Sequence, residues 1–139
     1  MTESPSTRLA GNKVLLVDAS QDLVSGARIA LAQAGCEVLV AADGFDALAE
    51  VAERKPDIVI ATTSLPRLNG FQVCALIKRH HRFAGTPVVL CVENDGIFER
   101  ARARIAGSDA LLARPWSLER LLEALGALLE PRREAQTLA

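Results

Sequence analysis

Asp18, Thr62 and Arg114 each stand directly after a short apolar run, and they bring a carboxylate, a hydroxyl and a guanidinium to comparable places in the chain. Asp18 follows Val14-Leu15-Leu16-Val17, Thr62 closes Asp57-Ile58-Val59-Ile60-Ala61, and Arg114 follows Ala110-Leu111-Leu112-Ala113. A threonine hydroxyl is a weak nucleophile unless a base activates it. The two histidines, His80 and His81, follow a helical stretch and are expected at the edge of the fold opposite Thr62. Ala19, beside Asp18, and Val92, after Val88-Val89-Leu90-Cys91, add no hydrogen-bonding group. Asp18 and Arg114 are expected on adjacent strand ends, where they balance each other. The Arg114 guanidinium is then expected to reach over the Thr62 side, pairing with Asp18 or hydrogen-bonding the loop.

Other clusters carry less chemistry. Cys36, Cys74 and Cys91 are widely spaced and offer no zinc-ligand pattern, so they read as small buried hydrophobes in a reducing cytoplasm. Asp18-Ala19-Ser20-Gln21-Asp22 contains no glycine, which argues against a phosphate-cradling loop and against flavin or nucleotide binding. Lys78-Arg79-His80-His81-Arg82 reads as a helix C-terminus, where cations complement the dipole. It has no interleaved aromatics to stack nucleic-acid bases.

The chain has 139 residues, half of them hydrophobic, and a formal charge of −1. That suits one domain with a core needing neither metal nor disulfide, and it disfavours general nucleic-acid or membrane-surface binding. The apolar stretches fall well short of a membrane span of about 20 residues. Met1 to Asn12 is polar and lacks a signal-peptide core, so a cytoplasmic protein is expected.

Strand-like and helix-like segments alternate. Val14–Val17, Val38–Val40, Ile58–Ile60 and Val88–Cys91 are apolar throughout, which suits parallel strands buried on both faces, and Ala110–Ala113 is a fifth. Helical stretches fall between them. Asp22–Ala34 has Ser20 as a cap and Gly35 as a stop, Phe45–Arg54 is closed by Pro56, and Phe71–His80 and Gly96–Ala106 follow. Ser117 can cap a last helix with Leu118, Leu121, Leu122, Leu125, Leu128 and Leu129 on one stripe. The prediction is an α/β fold: (βα)₅, a doubly wound five-stranded parallel sheet of order 2-1-3-4-5, flavodoxin-like, with its site beyond the carboxyl ends of β1 and β3. Residues 1–12 and 131–139 are expected as tails around a domain spanning 13–130.

Over residues 13–129 the chain resembles bacterial response-regulator receiver domains of the CheY-like kind. The resemblance rests on Val17-Asp18-Ala19-Ser20, Asp43 to Leu48, Pro56-Asp57 through Pro66 and Gly70, Pro87 to Leu90, Gly107-Ser108-Asp109 and Arg114-Pro115-Trp116. Gly44 to Ala49, Pro66 to Gly70 and Cys74 to Lys78 look more particularly like stand-alone receivers of type IV pilus chemosensory systems. The resemblance implies a phosphoaccepting aspartate, further carboxylates holding Mg²⁺, a Thr or Ser switch, an aromatic relay and a lysine before a cis proline.

This sequence keeps Asp18 but places Ala19, Thr62, Val92, Leu111 and Arg114 at the other positions. The expectation is therefore a pseudo-receiver without aspartyl phosphorylation, metal, cofactor or enzymatic activity. It would be a monomer or weak dimer that binds a protein partner of a signalling or motility pathway. The face implied for docking holds Arg100, Arg104, Leu111 and Trp116. The alternative is a switch driven by phosphorylation of Thr62, Thr63 or Ser64, or by a ligand in the former phosphoacceptor pocket.

Overall fold

The strands in the middle of the sheet are apolar on both faces, and the structure covers both. The computed structural model describes residues 9–129. The strands are β1 (Lys13–Val17), β2 (Glu37–Ala41), β3 (Ile58–Thr62), β4 (Val88–Val92) and β5 (Ala110–Ala113). Between and after them run α1 (Asp22–Gln33), α2 (Gly44–Arg54), α3 (Gly70–Arg79), α4 (Ile97–Ala106) and α5 (Leu118–Leu128). All pairings are parallel and the strand order is β2-β1-β3-β4-β5, as the alternation predicts.

Period-two alternation sends neighbouring residues to opposite layers. Val14, Leu16, Ile58, Ile60, Val89, Cys91 and Leu112 pack with Leu31 of α1 and Leu121 and Leu125 of α5. Leu15, Val17, Val59, Ala61, Leu90 and Val92 pack with Val51 of α2, Ile77 of α3 and Ala103 of α4. On the α5 stripe Leu121 and Leu125 are fully buried, whereas Leu118 is exposed in the first turn.

Two local expectations are corrected. The cap position of α1 is Gln21, in a left-handed conformation and without a side-chain cap; Ser20 is engaged elsewhere. The end expected for α2 is found: Arg54 is its last residue, and Lys55, also left-handed, follows ahead of Pro56. Residues 9–12, assigned above to a tail, belong to the domain. Leu9 is fully buried in the α1/α5 layer, and its carbonyl accepts from Asn12 Nδ2 at 3.2 Å and Cys36 Sγ at 3.3 Å. The rest of both expected tails lies outside the described residues.

Two glycines bring the loops of the carboxyl rim together. A Cβ on Gly70 would lie 2.4 Å from the Thr62 carbonyl oxygen, and one on Gly44 would lie 2.3 Å from that of Leu68. The β3–α3 loop therefore rests directly on the start of α2. Asp43 adds to this contact: it caps α2 by accepting from Asp46 N at 2.9 Å and pairs with Arg67 at 2.6 Å.

Candidate functional site

β1, β3, β4 and β5 end at one rim, and a cleft there is lined by Asp18, Ala19, Ser20, Thr62, Ser64, Glu93 and Arg114. Asp18 follows β1 and is 4% exposed. Its Oδ1 accepts from the Ser20 amide at 3.0 Å and the Ser20 hydroxyl at 2.9 Å, which is where the hydroxyl expected to cap α1 is spent. Thr62, the last residue of β3, is 8% exposed, and its Oγ1 donates to the Val17 carbonyl oxygen at 3.4 Å. The hydroxyl proton is thus directed at backbone, which does not activate a nucleophile.

Arg114 enters the cleft from the end of β5, and its Nε lies 3.2 Å from Glu93 Oε1. Arg114 and Thr62 line the same cleft, and the carboxylate that Arg114 meets is Glu93 of the β4–α4 loop. The adjacency expected for Asp18 and Arg114 is corrected by the strand order, since β3 and β4 separate β1 from β5. The Arg114–Pro115 bond is cis.

Val92 does not line this cleft. Strand alternation turns it into the α2/α3/α4 layer, 2% exposed. Cys91, the register partner of Thr62, is likewise buried, and burial first, then the nearby Asp18 charge, pushes its thiol up to about 12. Neither residue can act as a nucleophile on a substrate in the cleft. Sequence alone marks Ser20 only as a helix cap and Ser64 only as an alternative phosphorylation position, and it gives Glu93 no role in the site. Glu93 follows the apolar run of β4 and has the charge to meet Arg114, which is the one local signal that could have found it.

The donor set bears on the metal. Among the described residues no three His, Cys, Asp or Glu side chains are grouped to hold an ion. The cleft offers two carboxylates, and one of them faces a guanidinium. Mg²⁺ takes near-octahedral oxygen coordination, and the guanidinium already facing Glu93 competes for that carboxylate. These residues do not fit it.

Of the four residues expected on the docking face, three come together. Arg100, Arg104 and Leu111 line a shallow cleft between α4 and β5 with Ala103, Gly107 and Ser108. Arg100 is held by Asp95 through two contacts of 2.6 and 2.8 Å. Trp116 is partly buried against the α1/α5 layer instead, because the residue after Pro115 already leads into α5.

Residues 14–126 match the response regulator receiver domain family. The chain is 44% identical to protein PilG of Pseudomonas aeruginosa over 117 residues, covering 84% of this chain and 87% of PilG. It is 34% identical to response regulator MprA of a Mycobacterium species, spanning 84% of this chain and half of that protein's length. The structure is similar to chemotaxis response regulator CheY4 of Vibrio cholerae, with a TM-score of 0.79 and 28% identity over 85% of this chain and 98% of CheY4. It is also similar to the signal receiver domain of an HD domain-containing protein from Pseudomonas fluorescens, with a TM-score of 0.77 and 26% identity over 84% and 93% of the two chains.

Proposed function

This chain belongs to the response regulator receiver domain family of two-component signalling, and from that footing we propose that it is a phosphorylation-independent pseudo-receiver. It works as a non-enzymatic interaction module in a bacterial chemosensory pathway, one that drives type IV pilus motility. The observation that carries this reading is the content of the rim cleft: Thr62 with its hydroxyl spent on Val17, Ala19 beside Asp18, and Arg114 against Glu93. A phosphoryl group arriving there meets a neutral hydroxyl where a carboxylate nucleophile is required. The charge that a metal would offset is offset within the chain.

The test is an amide NMR spectrum recorded with and without acetyl phosphate and Mg²⁺, and again with beryllofluoride. We expect both pairs to superimpose for the wild type. Thr62→Asp alone is also expected to stay unphosphorylated, because Ala19 still supplies no second carboxylate. Saturable shifts around Thr62, or an acyl phosphate on the single variant, would overturn the proposal.

One observation favours a second reading. Ser64 is exposed on the same cleft as Arg114, so a phosphate placed on it by a serine/threonine kinase would find a guanidinium nearby. Phosphopeptide mass spectrometry of protein from cells decides it, and an unmodified Ser64 peptide removes it.

A further inference from the structure

Helices α2 and α3 pack side by side on one layer of the sheet and leave apolar surface in the open between them. Phe45, Ala49 and Ala52 follow one stripe of α2, and all three are exposed, Phe45 to 53%. The Arg67 guanidinium lies 5.1 Å from the centre of the Phe45 ring, so the stripe is turned toward the β3–α3 loop and α3. On α3, Phe71, Cys74 and Lys78 mark the side toward α4, where they meet Arg102, the Ala106 carbonyl oxygen and Asp109. Leu76 stands on the opposite side, toward α2, and is 44% exposed. Exposed apolar residues from two elements thus line one groove, which marks an interface where scattered ones do not.

The two banks of the groove differ in the sign of their charge. Beyond the apolar stripe α2 carries Asp46 and Glu53, and beyond Leu76 α3 carries Gln72 and Arg79, all exposed. Glu53 and Arg79 form no ion pair among the described residues. Arg67, at the end of the groove, is neutralised by Asp43 at 2.6 Å. From one edge to the other the face therefore reads acidic, apolar, basic. A half-turn about an axis along the groove exchanges the edges, laying acid on base and apolar on apolar, so the face is complementary to itself. Both helices start at the carboxyl rim and run the same way, and Gly44 abuts Leu68. Glu53 is then within about one helical turn of the level of Arg79, and Asp46 of Gln72. A partner surface of one sign would match only one edge.

We propose that a second copy of this chain docks on the α2–α3 face about a two-fold axis along the groove. Phe45 and Leu76 are the apolar anchors, and Glu53 pairs with Arg79 of the partner subunit. A face two helices wide is at the small end of specific interfaces, so the dimer is weak. The pairing does not depend on what occupies the rim cleft, and it stands or falls separately from the reading of the chain as a pseudo-receiver.

The test is sedimentation equilibrium on the full chain at low ionic strength, from micromolar to millimolar concentration. The wild type is expected to dimerise reversibly. Leu76→Glu is expected to weaken the dimer at least tenfold while circular dichroism stays unchanged, since the side chain is exposed. Glu53→Arg and Arg79→Glu are each expected to weaken it about tenfold, because the two-fold sets like charges together twice. Symmetry makes a sharper demand on the two variants combined. An equimolar mixture of Glu53→Arg and Arg79→Glu chains restores both opposite-charge pairs, and its heterodimer is expected to match the wild-type affinity to within about threefold.

A wild type that stays monomeric throughout the range would overturn the proposal. So would single charge variants that dimerise like the wild type, or a mixture that remains monomeric. A dimer kept by Leu76→Glu but lost in Ile97→Ser would put the contact on α4 and overturn it as well. Binding of a monomeric chain to phosphatidylglycerol vesicles, lost in Arg79→Glu, would assign the face to a membrane surface instead.

Discussion

Gly70 and Gly26 show how the same residue type can matter in opposite ways. Gly70 is needed for space, because its Cβ position is 2.4 Å from the Thr62 carbonyl oxygen and 2.8 Å from Thr63 Cα. Backbone cannot give way as a flexible side chain can. Gly70→Ala is therefore expected to destabilise by about 1–3 kcal/mol, the usual range for overpacking. It should also shift the amide resonances of Thr62 and Thr63. Gly26 lies inside α1 with nothing within 4 Å of its Cβ position. Gly26→Ala is expected to stabilise by about 0.5–1 kcal/mol through helix propensity. Urea denaturation of the two variants reads both signs in one experiment.

At the scale of elements, α1 and the segment before β1 depend on each other. Leu9 reaches the α1/α5 layer and its carbonyl is shared by Asn12 and Cys36, while Gly11 N donates to Gly35 O at 3.0 Å across the end of α1. Leu9→Ala is expected to cost about 2–5 kcal/mol, as for a fully buried leucine that leaves a cavity. A midpoint shift within error of the wild type would return residues 9–12 to the status of a tail. Helix α4 has the opposite economy. Its core face is nearly all alanine and its large side chains are exposed, so substitutions on its crest are expected to leave stability within about 0.5 kcal/mol of the wild type.

For the whole molecule, titration sets an upper and a lower pH edge to stability. Asp43 is held below its ordinary 3.8, first by the Asp46 amide and then by Arg67, and Asp95 is held below it by Arg100. A lowered folded-state pKa stabilises above 3.8, and this contribution is lost as pH falls through the folded value. At the other edge, burial raises the thiols of Cys36 and Cys74 to about 11 and that of Cys91 to about 12, from 9.0. A raised value stabilises below 9.0 and is lost as pH climbs toward the folded values. The denaturation midpoint is expected to hold across the neutral range and to fall at both edges. Asp43→Asn should soften the acid edge alone, and Cys36→Ala, Cys74→Ala and Cys91→Ala together should soften the alkaline one.

Strand order, layer count and the location of the rim were legible in the residues themselves. An apolar run without alternation has no solvent face, so helices must cover both sides of the sheet, and the turn residues between runs set where each strand ends. That places Asp18, Thr62 and Arg114 on one rim before any coordinate is known. Pairing across the rim was not legible. Ser20 turning to Asp18, Glu93 meeting Arg114, Val92 facing the core and Leu9 folding back depend on distances between segments tens of residues apart. Local pattern carries no information about those distances. The exposed crest of α4 was hidden for a related reason: an apolar stripe shows which residues share a face of a helix, and only the packed sheet decides that the alanine face is the one buried.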